Sequence, residues 1–256
     1  MQKFTTVAKN NEKSKNLEAK IYTALIQDGW EANDQHPDIV IFIGGDGTLL
    51  YAVQKYLDLL DDVNFVGIHT GTLGFFTDYT EEEYPVFLKD MKERAPKIFC
   101  SKLLQIKTNK EEYYALNEMR IENVKRTQVI DVYVDNELFE TCWGSGVCLS
   151  TQAGSTAYNR SLGGAVIDSG ISLMQMAEIT AIQHSKHRSL GNPYILKPDR
   201  IVEFKSDDFS DALLCFDHRN VSLEGVDKVT CTTSNHSVRF ARYREYSYLK
   251  RLKNLY

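Results

Sequence analysis

The apolar positions of this chain change their rhythm near residue 100. Before that point, short apolar runs alternate with stripes at helical spacing. Phe4 to Ala8 reads as a strand, and Leu17, Ile21 and Leu25 at i, i+4, i+8 give one apolar face to a helix from Glu12 to Asp28, closed by Gly29. Ile39 to Ile43 is a second strand. Leu49, Leu50, Val53, Leu57 and Leu60 mark the helix after it, and Asn64 to His69 reads as a third strand. Glu81 to Ala95, with Tyr84, Phe87, Leu88 and Met91 on one side, predicts a further helix stopped by Pro96. Strands alternating with helices imply a parallel sheet that presents ligands at its carboxyl edge. Two glycine loops, at Gly44 and at Gly71, fall on that edge.

After about residue 100 the segments become short, β-branched or aromatic, and separated by polar turns. Strands are predicted at Lys102 to Thr108, Tyr113 to Glu122, Val129 to Val134, Leu138 to Trp143 and Gly146 to Ser150, with Asp135-Asn136 as a tight hairpin turn. More follow at Ile201 to Ser206, Ala212 to Phe216, Val221 to Leu223, Lys228 to Thr233 and Ser237 to Tyr243. The expected fold class is therefore α+β in two domains: an α/β parallel-sheet domain over residues 1–100 and a β-rich domain over 101–242. The stretch from residue 243 onward mixes Tyr246, Tyr248, Leu249 and Leu252 with Arg244, Lys250 and Arg251. Such a segment packs its apolar side chains on a domain while its cations snorkel to water.

A length of 256 residues suits two compact domains, and the net charge of −5 carries no nucleic-acid footprint; the nearest basic stretch is Lys186-His187-Arg188. Five cysteines, odd in number and without C-x-x-C spacing, argue against a disulfide framework or a zinc site and for a reducing compartment. The first residues lack the apolar core of a signal peptide, and nowhere do 18 apolar residues run together, so the expectation is a cytoplasmic protein without a membrane partner.

The chemistry starts at Gly44-Gly45-Asp46-Gly47-Thr48, between the second strand and the helix after it. Glycines let a backbone approach a ligand closely, and amides at a helix start point at an anion. The acid in the middle argues against a bare phosphate cradle, so Asp46 is expected to face a hydroxyl or a metal. Neither the Walker loop nor the dinucleotide fingerprint fits this run. Asn117-Glu118, within a candidate strand, offers a carboxylate and an amide for vicinal hydroxyls, or two polar residues on opposite strand faces. Ser150 to Tyr158 supplies four Ser/Thr hydroxyls, a glycine and a tyrosine ring, either as a turn capping a helix near Thr156 or as a grip on a base and a phosphate.

The GGDGT run resembles the kinase superfamily that contains NAD kinases, lipid kinases and, more distantly, phosphofructokinases. Together with Gly71-Thr72-Leu73-Gly74-Phe75, Asn117-Glu118 and Gly154-Ser155-Thr156-Ala157-Tyr158, in that order, the chain is similar to the NAD kinase family from about Ile39 to Gly164, and Ser161-Leu162-Gly163-Gly164-Ala165 continues the likeness. The resemblance implies transfer of a phosphoryl group from ATP or polyphosphate to the 2′-hydroxyl of the adenosine ribose of NAD, with a β-sandwich-like second domain and a homodimer or homotetramer. It makes Asp46 the base, Gly45 and Gly47 the phosphate-approaching glycines, and Phe75 part of the binding set. Asn117 and Glu118 become ribose and adenosine ligands, and Thr156, Ala157, Tyr158 and Ser161 adenosine and phosphate contacts. Mg²⁺ would ride on the donor phosphates rather than in a protein cage.

Two departures bear on the acceptor. Trp143-Gly144-Ser145-Gly146 stands where many members have Arg-Gly-Asp-Gly, and Thr180 stands where relatives often have Ala. Both Ser145 and Thr180 belong to the expected binding set. The loss of a cation and a carboxylate keeps open a dinucleotide-binding regulator with weak or no catalysis. A lipid or sugar kinase on the same scaffold would need an exposed apolar entry or a basic membrane face, neither of which is visible in the sequence.

Overall fold

Ile39–Ile43 is buried at every position, the mark of a strand covered on both faces. In the computed structural model, which describes residues 2–182 and 188–255, it lies inside a parallel sheet in the order Glu31–Ala32, Lys3–Ala8, Ile39–Ile43, Asn64–His69. Tyr79–Thr80 and the second half of Lys228–Arg242 also pair in parallel with Asn64–His69. Lys186 and His187 of the basic stretch lie outside the described residues.

The helix Glu12–Gln27 starts where Asn11 accepts from the Ser14 amide at 2.8 Å. It buries Leu17, Ile21 and Leu25 against Phe4, Ile41 and Phe87 in one core. Asp46–Lys55 follows the second strand and gives way to a 3-10 turn at Leu57–Leu59, so the apolar stripe through Leu60 spans two elements. The chain forms two compact units, one of residues up to Ser101 together with those from His236 onward, the other Lys102–Asn235.

Within the first unit the last residues clamp the loop after the third strand. Arg242 and Arg251 both reach the buried Asp78 carboxylate, at 2.7 and 3.4 Å, and donate to the Phe76 and Thr77 carbonyls. Tyr246 donates to the Phe75 carbonyl at 3.0 Å, and the Phe75 ring meets Tyr248. Two buried guanidiniums need such partners, because an unpaired charge there would be strongly destabilising.

The second unit is a sandwich of antiparallel strands. One sheet runs Tyr194–Leu196, Met174–Ile179, Gly146–Thr151, Glu118–Glu122, Leu213–Phe216, Arg219–Ser222. Against it stand Glu137–Gly144, Gln128–Val134, Val202–Lys205 and the first part of Lys228–Arg242, and Met119, Ile121, Ile130, Val132, Phe204 and Phe216 fill the core between. Asp135 and Asn136 have φ of 52° and 70°, the left-handed pair of a tight hairpin.

Three expectations change. Tyr113 to Glu122 is not one strand: Glu112–Ala115 and Glu118–Glu122 are separated at Leu116-Asn117, whose amides bond the Asp217 carboxylate, both at 2.8 Å, instead of a ladder. The two strands expected between Lys228 and Tyr243 are a single strand, Lys228–Arg242, because no turn-forming glycine or proline interrupts it. Met174–Ile179 was not expected, since Met, Gln and Ala give weak strand signals, nor was Tyr194–Leu196, too short to stand out in the sequence.

Candidate functional site

Gly45 caps the helix Asp46–Lys55 without any side-chain cap, so the first amides of the helix remain open to a ligand. Gly44 is needed for the fold. Its φ is +156°, and a Cβ there would lie 2.2 Å from Thr48 Oγ1. Gly45 and Gly47 differ, because a Cβ on either would meet nothing within 4 Å. The space in front of them belongs to a cavity of about 590 Å³, lined also by Thr48, Lys9, Lys15 and Lys55.

Asp46, the first residue of that helix, is half-buried. Its carboxylate accepts from the amides of Phe75 at 2.9 Å and Phe76 at 3.2 Å. Gly74 permits this approach, as a Cβ there would fall 2.3 Å from Asp46 Oδ1. Burial pushes the Asp46 pKa up; the two amides and the charges of Arg242 and Arg251 hold part of that shift back. The second glycine loop therefore positions the acid of the first, and the C-terminal clamp positions that loop.

In the second unit, Asn117 and Glu118 are both buried, which overrides a reading of them as solvated strand residues. Asn117 Oδ1 and Glu118 Oε2 have no hydrogen-bond partner. A buried acceptor left so is costly unless a ligand or water completes it. Glu118 is pushed up to about 7 by burial and by the neighbouring Asp217 carboxylate. Asp217 is itself pushed up to about 6 by burial, against three backbone amides that favour its charge. It has φ +48° and acts as the clamp of the Leu116-Asn117-Glu118 turn.

The Ser/Thr-rich segment divides its hydroxyls. Thr151 donates to the Leu116 carbonyl at 2.6 Å and accepts from the Gly154 amide, while Ser155 Oγ accepts from the Ile167 amide. Gly154 packs against the Asn117 backbone, with room for no Cβ: it would lie 2.0 Å from the carbonyl oxygen. The helix starts at Tyr158 rather than near Thr156, after a 3-10 turn over Ala153–Thr156. Thr156, Ala157 and Tyr158 remain half-buried and Ser161 is exposed. Tyr158 was expected to offer a ring face and a donor. Its hydroxyl instead donates to Glu122 at 3.0 Å, and the Arg120 guanidinium lies 4.0 Å from its ring centre.

Ser145 and Thr180 come together where the Ser145 amide donates to the Ile179 carbonyl at 2.9 Å, and Thr180 is held at φ +50°. Arg120 and Glu122 were missed by the sequence reading. Their signal is the alternation Glu118, Arg120, Glu122 against the apolar Met119 and Ile121, which puts three charges on one strand face.

A family model described as the ATP-NAD kinase N-terminal domain matches residues 1–95, and one described as the ATP-NAD kinase C-terminal domain matches residues 116–243. The chain belongs to the ATP-NAD kinase family. It is 36% identical over 258 residues to NAD kinase 1 of Bacillus subtilis (strain 168), with 98% of this chain and 97% of that protein covered. It is 33% identical over 257 residues to the NAD kinase of Geobacillus stearothermophilus, with 98% and 95% covered. In fold it resembles yeast NADH kinase complexed with NADH, with a TM-score of 0.84 at 20% identity, covering 100% of this chain and 87% of that one. It also resembles an NAD kinase from Archaeoglobus fulgidus in complex with ATP, with a TM-score of 0.78 at 23% identity, covering 100% and 97%. The β-sandwich expected of this family is the second unit described above.

Proposed function

We infer that this ATP-NAD kinase family member transfers a phosphoryl group from ATP or polyphosphate to the 2′-hydroxyl of the adenosine ribose of NAD, giving NADP. The observation that carries the reading is the Asp46 carboxylate, pinned by two loop amides at the open start of a helix. Each of its oxygens keeps a lone pair for a further donor, and a ribose hydroxyl is such a donor. An unshifted Asp is a weak base at neutral pH; burial makes this one somewhat stronger. The loose transition state of phosphoryl transfer needs little deprotonation until late. Asp46 orients the hydroxyl and takes its proton as the new O–P bond forms, and the bond to the leaving phosphate oxygen breaks.

The donor phosphates take the open amides and the cavity beside Gly45 and Gly47, with Lys9, Lys15 and Lys55 in its wall. A divalent cation such as Mg²⁺ enters with those phosphates; among the described residues no three His, Cys, Asp or Glu side chains gather to hold one. For the acceptor, the unpartnered oxygens of Asn117 and Glu118 suit the vicinal ribose hydroxyls. Phe75, Thr156, Ala157, Tyr158 and Ser161 complete the adenosine and phosphate contacts, with Ser145 and Thr180 toward the nicotinamide half. A cytoplasmic location is supported by five free thiols, and the family resemblance suggests a homodimer or homotetramer.

Glu118 accepts from hydroxyls more strongly when ionised than when protonated. With its pKa near 7, KM for NAD should rise as pH falls below 7, by at most about tenfold per unit, and level off above it. Glu118→Gln should flatten that limb while leaving the pH dependence of the donor KM in place, as read by initial rates from pH 5.5 to 8.5. The overall test is an assay of purified protein with NAD, Mg²⁺ and either ATP or polyphosphate. NADP formed with one or both supports the reading, and none with either overturns it.

A further inference from the structure

Tyr158 opens a helix of only four residues, so its own helix does little to hold it. Three side chains of one strand face do so instead. Glu118 accepts from the Tyr158 backbone amide, Arg120 lies against the ring at 4.0 Å, and Glu122 accepts from the phenol at 3.0 Å. Arg120 and Glu122 are joined by an ion pair of 2.6 Å, with side chains only 18% and 19% exposed. Gly146, the residue paired with Glu122 on the next strand, lets the two backbones approach closely, since a Cβ there would collide with the Ile121 carbonyl oxygen. On the far side, Cys215 faces Arg120 across the sheet, and its thiol donates weakly to Glu122.

We propose that Arg120 and Glu122 are positioning residues for the dinucleotide: they fix the Tyr158 ring and occupy its hydroxyl and one face, leaving the other face to stack on a planar ring of the bound NAD. The inference rests on Tyr158 belonging to the acceptor site. Its physical basis is the cost of ordering. A tyrosine free to rotate would lose that freedom when the ligand binds, whereas one held by a guanidinium and a carboxylate has lost it on folding. A cation over an aromatic face in a partly desolvated place is a strong enough contact to hold the ring.

The test compares Arg120→Ala, Arg120→Lys, Tyr158→Ala and the Arg120→Ala/Tyr158→Ala pair, using initial rates and calorimetric titration of NAD itself. Arg120→Ala should raise both KM and Kd for NAD about three- to tenfold, with kcat and the KM for ATP changed less than about twofold. Arg120→Lys, which restores charge without the flat guanidinium, should recover part of the loss. In the Tyr158→Ala background, Arg120→Ala should add less than about twofold, since its route to the ligand is gone. Full additivity of the two changes, equal rises in KM for both substrates, or an unchanged Kd for NAD overturns the proposal. The titration separates this from the kinase reading. Wild type that binds NAD with this Arg120 dependence but makes no NADP removes the kinase reading and leaves the positioning role standing.

Discussion

Asp46→Asn should lower kcat for NADP formation at least about a hundredfold and leave the KM for either substrate within a few-fold. The amide retains the size and one acceptor, so the substrates still find their places, but it cannot take the ribose proton. One structural cost is built in. Both carboxylate oxygens accept from backbone amides, of Phe75 and Phe76, and an Asn side chain must turn its own NH2 toward one of them. That donor facing a donor costs about 1–2 kcal/mol, or a fall of a few degrees in melting temperature for a chain of this size. Steady-state rates and a melting curve on the same preparation separate the two effects. Activity retained within tenfold of wild type would remove Asp46 from the role of base.

Gly45→Ala and Gly47→Ala should each lower kcat/KM for the phosphoryl donor about ten- to a hundredfold, Gly47→Ala with no loss of stability and Gly45→Ala with at most about 1 kcal/mol lost at the helix N-cap. A Cβ on either residue meets no protein atom within 4 Å, and Gly45 has φ −108° and ψ −169°, which alanine also adopts. Gly47 lies in the first turn of the helix, where alanine is worth about 0.5–1 kcal/mol over glycine. The methyl would therefore occupy ligand space and little else. Gly44→Ala should behave oppositely, losing stability through its positive φ and the collision with Thr48. Donor kinetics together with thermal melts of the three variants read the contrast. Unchanged donor kinetics at Gly45 or Gly47 would make those glycines structural.

The first unit was the more legible. Its strands are continuous apolar runs and its helices carry clean stripes, such as Leu17, Ile21 and Leu25, because both patterns answer to local geometry. The sandwich was legible in most strands but not in its breaks. Asp217, a hundred residues along the chain from Asn117, takes the amides that would otherwise continue the strand from Tyr113, and a bond over that separation leaves no mark in local sequence. The same holds for the Tyr158 hydroxyl, whose acceptor lies 36 residues away.

The sequence by itself determined the alternating α/β unit, the β-rich second unit, the motif order that marks the family and the residue types at each motif, since these depend on periodicity and on chemistry within a few residues. Only the tertiary structure decided which of those residues are free to act. It turned Thr151 and Ser155 inward, gave Asp46 two amides from a distant glycine loop, left Asn117 and Glu118 with unfilled acceptors, and set Arg120 beneath Tyr158. A side chain's availability depends on what the rest of the chain folds against it, and those partners come from segments far apart in sequence.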